Sequence, residues 1–203
     1  MKNPSTRLKA SKLMENIEIE IQVKVENSKA LLDFLEKNAK FEKESQQVDV
    51  YYSPSHRDFI AVRPVKEWLR IRNSGGKCFI TYKNFHYDSN QKSAYADEYE
   101  LSVEGPEKLE KIFDALNFKE VARVDKIRKC YNYENWEIAL DSVKGLGDFV
   151  EVEYKGDEPV DPKAEAQKMV KFLRDVGCGK VERNYVGYPF MIMFPNEVKF
   201  QEE

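Results

Sequence analysis

The sequence predicts an α+β protein, mainly β, in which eight antiparallel strands close into a barrel braced by about three α-helices. Three observations carry this. Eight segments rich in Val, Ile, Tyr and Phe alternate with polar residues at period two. Three further segments place apolar residues at helical spacing behind an N-cap or a proline. Within the strand-like segments, like charges recur two residues apart: Glu18 and Glu20, Arg70 and Arg72, Glu98 and Glu100, Glu151 and Glu153. In a strand, residues i and i+2 share a face, so each pair projects both charges into one space.

Residues 1–13 are polar, basic and aperiodic, and read as a disordered leader or a tag-like segment ahead of Met14. A single domain then spans 14–203. Residues 15–25 alternate charged and apolar side chains and form the first strand. Ser28 caps an amphipathic helix whose apolar face carries Leu31, Leu32, Phe34 and Leu35. Strands follow around 47–52, 68–72, 78–82, 95–103, 122–131, 136–143 and 149–154. Asn73-Ser74-Gly75-Gly76 is a hairpin turn, and Gly145-Leu146-Gly147 is another tight turn. A second helix starts at Pro106, with Ile112, Phe113 and Leu116 on one face. A third starts at Asp161-Pro162 and stops near Gly177 or Gly179.

Composition narrows the class. A chain of 203 residues, 41% hydrophobic, buries one core without needing a second domain. A formal charge of -3 offers no global attraction to nucleic acid or anionic membranes, so any anion site must be local. No apolar run reaches transmembrane length and no signal-peptide core is present, which leads to a cytoplasmic location with neither membrane nor nucleic acid as partner. Cys78, Cys130 and Cys178 are widely spaced and odd in number, which fits reduced core thiols. His56 and His86 are isolated and read as loop residues, outside any metal-ligand spacing. Trp68, Trp136 and Phe149 read as packing residues, and Tyr185 as a neighbour of the barrel mouth. No nucleophile elbow or P-loop spacing occurs.

The charged faces are the functional clue. Gln22 and Lys24 continue the Glu18 and Glu20 face; Thr81 and Lys83 share one, as do Lys126 and Arg128; Asp141 ends an apolar run. Converging inside a barrel, carboxylates would suit a hard cation such as Mg²⁺ or Mn²⁺, and Arg and Lys a polyphosphate. Alternating charge is also what the solvated face of a half-buried sheet shows, and the pattern alone does not choose between the two.

The motifs, taken in order, resemble a known family. Glu18-Ile19-Glu20-Ile21-Gln22-Val23-Lys24, Leu69-Arg70-Ile71-Arg72, Thr81-Tyr82-Lys83, Glu98-Tyr99-Glu100, Lys126-Ile127-Arg128, and Leu140-Asp141 leading to the 145–153 segment are similar to the CYTH superfamily. These triphosphate tunnel metalloenzymes include class IV adenylate cyclases, thiamine triphosphatases and inorganic triphosphatases. The resemblance spans roughly 14–188 and is greatest to the cyclase branch. It implies an eight-stranded tunnel, Mg²⁺ or Mn²⁺ dependence, and a nucleotide or other triphosphate as substrate. Glu18, Glu20, Glu151 and Glu153 would hold metal, assisted by Glu98 or Glu100. Arg70, Arg72, Lys83, Lys126 and Arg128 would grip phosphates, and Asp141 would serve metal or substrate. Two departures stand out. Gln22 occupies the lysine position of the family's Glu-x-Glu-x-Lys signature, so Lys24 on the same face is expected to compensate. Asn184-Tyr185-Val186-Gly187-Tyr188-Pro189 replaces a cyclase-like Ser-Tyr-x-x-Leu-Leu.

Three readings follow. The chain is a metal-dependent enzyme that cyclises ATP to cyclic AMP and pyrophosphate or hydrolyses a triphosphate; or a non-catalytic polyphosphate-binding module; or a structural barrel with a charged surface. Closure of a sheet edge by a homodimer is compatible with all three.

Overall fold

In the computed structural model, which describes residues 17–203, the first strand already shows how the barrel is built. β1 (Ile17–Val25) turns Ile19, Ile21 and Val23 outward, each at most 1% exposed, and Glu18, Glu20 and Gln22 inward. Its apolar residues therefore pack beneath helices on the outside of the barrel, and its polar ones face the interior. The expected leader over 1–13, with Met14, lies outside the described residues.

The chain continues through α1 (Ser28–Asn38), β2 (Lys40–Pro54), β3 (Glu67–Ser74), β4 (Lys77–Tyr87), β5 (Ser93–Val103), α2 (Pro106–Ala115), β6 (Phe118–Tyr133), β7 (Trp136–Val143) and β8 (Gly147–Tyr154). It ends with α3 (Pro162–Asp175), β9 (Val181–Arg183), α4 (Gly187–Met193), a 3₁₀ turn (Pro195–Glu197) and β10 (Gln201–Glu202). Eight strands close in the order β1-β5-β4-β3-β2-β6-β7-β8, with β8 returning to β1 through pairs such as Glu20 with Glu153. Every pairing is antiparallel. β9 and β10 extend from β1 outside the ring. Because β8 meets β1 within the chain, the barrel needs no second copy to close it.

Two apolar clusters pack on the outer surface. Leu31 and Leu35 of α1, with Met169 and Leu173 of α3, cover Ile21, Val23, Ile138, Val150 and Val152. Phe113 of α2 packs on Ile71 and Cys78. A third cluster fills one end of the interior: Tyr51, Trp68, Val124, Val143 and Phe149 meet Tyr188, Phe190 and Met191 of α4. The barrel is thus polar through its middle and apolar where α4 plugs it.

The expected elements are present, with differences that have local causes. The first helix is capped by Asn27, whose side chain accepts from Ala30 N–H at 3.2 Å, rather than by Ser28. β2 starts at Lys40, seven residues before the expected strand, because the run through Gln46 is mostly exposed and carries no alternation. A fourth helix, α4, joins the three expected ones. His86 sits on β4, not in a loop. The hairpin at Gly75-Gly76 has both residues at positive φ, +57° and +81°, as a tight β3–β4 turn requires. No helix of the described residues is long and apolar enough to cross a membrane.

Candidate active site

The polar middle of the barrel encloses a cavity of about 510 Å³. β1 supplies Glu18, Glu20 and Gln22; β3, Arg70 and Arg72; β4, Thr81 and Lys83; β5, Glu98 and Glu100; β6, Lys126 and Arg128; β8, Glu151 and Glu153. The two-residue period brings each expected pair to the same wall, and barrel closure brings the walls together. Of the two readings of the alternating charge, the structure shows the cavity.

The basic side chains are held from behind. Asp49 of β2, 1% exposed, binds Arg72 through two hydrogen bonds of 2.6 Å and lies 3.6 Å from Arg70. Burial opposes the charge of Asp49, but Arg72 and then Arg70 override it and hold the carboxyl far below the usual carboxylate range. Asp141 of β7 holds the basic pair of β6 from behind in the same way. It accepts two bonds from Arg128, one from Lys126 at 3.1 Å and one from the Tyr188 hydroxyl at 2.9 Å. Burial, with Arg128 adjacent, pushes the Lys126 ammonium down to about 8.

The acidic wall converges on a lysine. Lys83 Nζ bonds Glu18 and lies 3.1 Å from Glu98 and 3.6 Å from Glu20. Burial, with Glu20 beside it, raises the Glu18 carboxyl well above its ordinary range. Burial also works against Glu98, but Lys83 and a hydrogen bond from Glu18 outweigh it and bring Glu98 down to about 2. Burial raises Glu153 too, opposed by Lys155. Among the described residues no three acidic, histidine or cysteine side chains are already drawn into a metal cage. The donor chemistry nevertheless fits a hard divalent cation: Glu18, Glu20, Glu98 and Glu153 would offer it carboxylate oxygens, the first three of them now beside the Lys83 ammonium.

Three expected residues lie elsewhere. Lys24 does not line the cavity; its Nζ lies 4.9 Å from the Phe149 ring centroid and 5.0 Å from that of Phe200, because Lys24 lies past Val23, the last residue of β1 paired with β8, and pairs with Glu182 of β9 at the plugged end. It does not stand in for the missing lysine. Asp141, 2% exposed, is sealed behind Lys126 and Arg128 rather than open to the cavity. Tyr185 faces away from the barrel interior, and Tyr188 lines it instead. Glu151 is engaged by Arg128 and by Gln22, whose Nε2 donates at 2.8 Å. Gln22 Oε1 accepts from Asn184 Nδ2 at 3.2 Å. Asp49 is not singled out by the sequence, and Asn184 and Tyr188 enter there only within the 184–189 departure from the family pattern, with no role in the cavity assigned to them. The alternation Gln47, Asp49, Tyr51 is a signal for the first; the other two act through contacts between residues distant in sequence, which no local pattern reveals.

Comparison with known proteins agrees with this geometry. A Methanocaldococcus jannaschii protein provisionally named an adenylate cyclase is 36% identical over 165 residues, covering 81% of this chain and 91% of its own. A solved Pyrococcus horikoshii protein superposes with a TM-score of 0.68 at 32% identity, over 81% of this chain and 93% of its own. A Hippeastrum protein named as an adenylyl cyclase, and described as having a dominant triphosphatase activity, shares the fold with a TM-score of 0.59 at 19% identity, over 89% of this chain and 95% of its own. The sequence pattern of the CYTH domain matches residues 16–185, and the chain belongs to that family.

Proposed function

We propose that this protein is a divalent-metal-dependent enzyme that processes a triphosphate inside the barrel, with cyclisation of ATP to cyclic AMP and pyrophosphate as its reaction. The observation that supports this is the meeting, in one cavity, of a basic clamp and a cluster of carboxylates. Arg70, Arg72, Lys126 and Arg128 bind the phosphate oxygens, positioned by Asp49 and Asp141. Glu18, Glu20 and Glu153 would hold Mg²⁺ or Mn²⁺, with Glu98, Glu100 and Glu151 assisting, once Lys83 turns from them to the anion. The metal, when bound, supplies charge neutralisation of the phosphates. The ribose 3′-oxygen forms its bond to the α-phosphorus as the bond to the bridging oxygen breaks. Pyrophosphate leaves into the clamp, and a carboxylate of the acidic wall takes the hydroxyl proton.

Hydrolysis is the second reading. The same clamp serves a water attacking phosphorus, and the middle of the cavity is lined by charged side chains that demand no particular ribose placement. The test is chromatographic product analysis after incubation with ATP, thiamine triphosphate or inorganic triphosphate, each with Mg²⁺, with Mn²⁺ and with a chelator. Metal-dependent cyclic AMP plus pyrophosphate is the expected result. Orthophosphate in place of cyclic AMP selects hydrolysis, and no product from any substrate rejects both.

A further inference from the structure

A second cavity, about 860 Å³, lies outside the barrel between the far ends of β4 and β5, helix α3, β9 and the C-terminal Glu203. Arg183 of β9 lines it and is 7% exposed. Its Nη2 donates to the carbonyls of Glu20 at 3.1 Å and Ser93 at 2.8 Å, and its guanidinium lies 4.4 Å from the Tyr185 ring centroid. Its Nε has no hydrogen-bond partner. Among the described residues no carboxylate comes within 4.0 Å of it. The buried cations of the barrel differ in this: Arg70, Arg72, Lys83, Lys126 and Arg128 each have a carboxylate within that distance. Burial lowers the pKa of Arg183, whereas carboxylates outweigh burial at Arg70 and Arg128 and raise theirs. Arg183 is held by two carbonyls and the Tyr185 ring, with Glu203 acting on it only from beyond 4.0 Å, so no carboxylate pairs with it directly and an anion would complete the arrangement.

The remaining wall offers a second cation and a flat face. Lys92 Nζ lies 5.2 Å from the Tyr185 ring in the same cavity as Arg183 and 3.4 Å from Glu203, so an anion there would exchange with the Glu203 carboxylate. His86 and Tyr95 stack with centroids 4.6 Å apart at 11°, and Asp97 fixes the histidine at 2.8 Å. We propose that this cavity is a second small-molecule site for a planar aromatic ligand carrying an anionic group, the anion at Arg183 and Lys92 and the ring against His86 and Tyr95. An uncharged ring leaves Arg183 unpaired, and a bare anion leaves the stacked face unused.

Two probes present this chemistry from different sources: adenosine monophosphate as a nucleotide and benzoate as a carboxylic acid. Adenosine and inorganic phosphate supply the ring and the anion separately. Calorimetric titration of the full chain should show saturable binding of at least one complete probe, weaker or absent binding of the separated halves, and at least tenfold weakening by Arg183→Gln and by His86→Ala. Glu153→Ala, inside the barrel, should leave that binding unchanged. Arg183 also ties β1 to β5, so if its variant does not fold, His86→Ala and Lys92→Ala decide the matter. Binding of neither probe, or binding that His86→Ala and Lys92→Ala leave untouched, overturns the site.

Discussion

Glu20 and Glu153 stand opposite each other across the seam that closes the barrel, and neither is placed to hold the fold together. Truncating either to Ala should abolish metal-dependent turnover while moving the unfolding free energy by no more than about 0.5 kcal/mol, since it removes one of several crowded like charges. Wild-type turnover in both variants would sink the assignment. Lys126 should impose a pH dependence. Folding lowers its pKa from 10.5 to about 8, so the unfolded chain binds the extra proton between those values. Stability therefore rises with pH across that window, and below pH 8 the full cost of burying the charge is present. Phosphate affinity runs the other way: KM should climb as pH rises through about 8, and Lys126→Met should show a high KM that no longer varies there. Gln22→Lys should lower KM for the triphosphate severalfold at a cost of about 1 kcal/mol, because it adds a cation beside Glu151 but loses the bond from Asn184. An unchanged KM would place position 22 outside phosphate binding. These cavity residues were legible in the sequence because charge pairs at i and i+2 survive any choice of register. Lys24 was misplaced because alternation gives the face of a residue and not its height along the barrel.

At the scale of elements, α4 was invisible in the sequence and yet shapes the floor of the cavity. Gly187-Tyr188-Pro189-Phe190-Met191-Ile192-Met193 has no charged face, since four of its seven residues are buried, so no helical period shows. Its register rests on Asn184, whose Oδ1 accepts from the N–H groups of Val186 at 3.1 Å and Gly187 at 3.0 Å while its amide reaches Gln22. Asn184→Ala should cost about 1–2 kcal/mol and raise KM as well, because Gln22 loses its support. Asp161→Ala removes the cap that accepts from Ala164 N–H at 2.8 Å, at a cost of about 1 kcal/mol, and should leave KM alone. Chemical denaturation paired with steady-state kinetics separates the two. The strand at 136–143 matched its expected bounds because turns flank it on both sides, whereas β9 and β10 are too short to carry a pattern.

For the whole molecule, stability and chemistry are held in different layers. Leu173, fully buried in α3, packs on the outside of the barrel and touches nothing in the cavity. Leu173→Ala should therefore cost roughly 2–5 kcal/mol and leave the KM of the folded enzyme unchanged, readable from melting temperature and kinetics on one preparation. That layering was only half legible: the sequence showed two kinds of face but not which one enclosed space, a matter decided by β8 returning to β1. The enclosed face has a further property. Seven basic and seven acidic side chains line the cavity, so its formal charge is zero before anything enters. An incoming triphosphate meets no net attraction and must displace acidic partners already attached to the clamp, while an incoming metal must displace Lys83. Each ligand frees the side chains the other needs. Metal and triphosphate should accordingly bind weakly alone and strengthen one another by the same factor, a reciprocity that two titrations, one in each order, would measure directly.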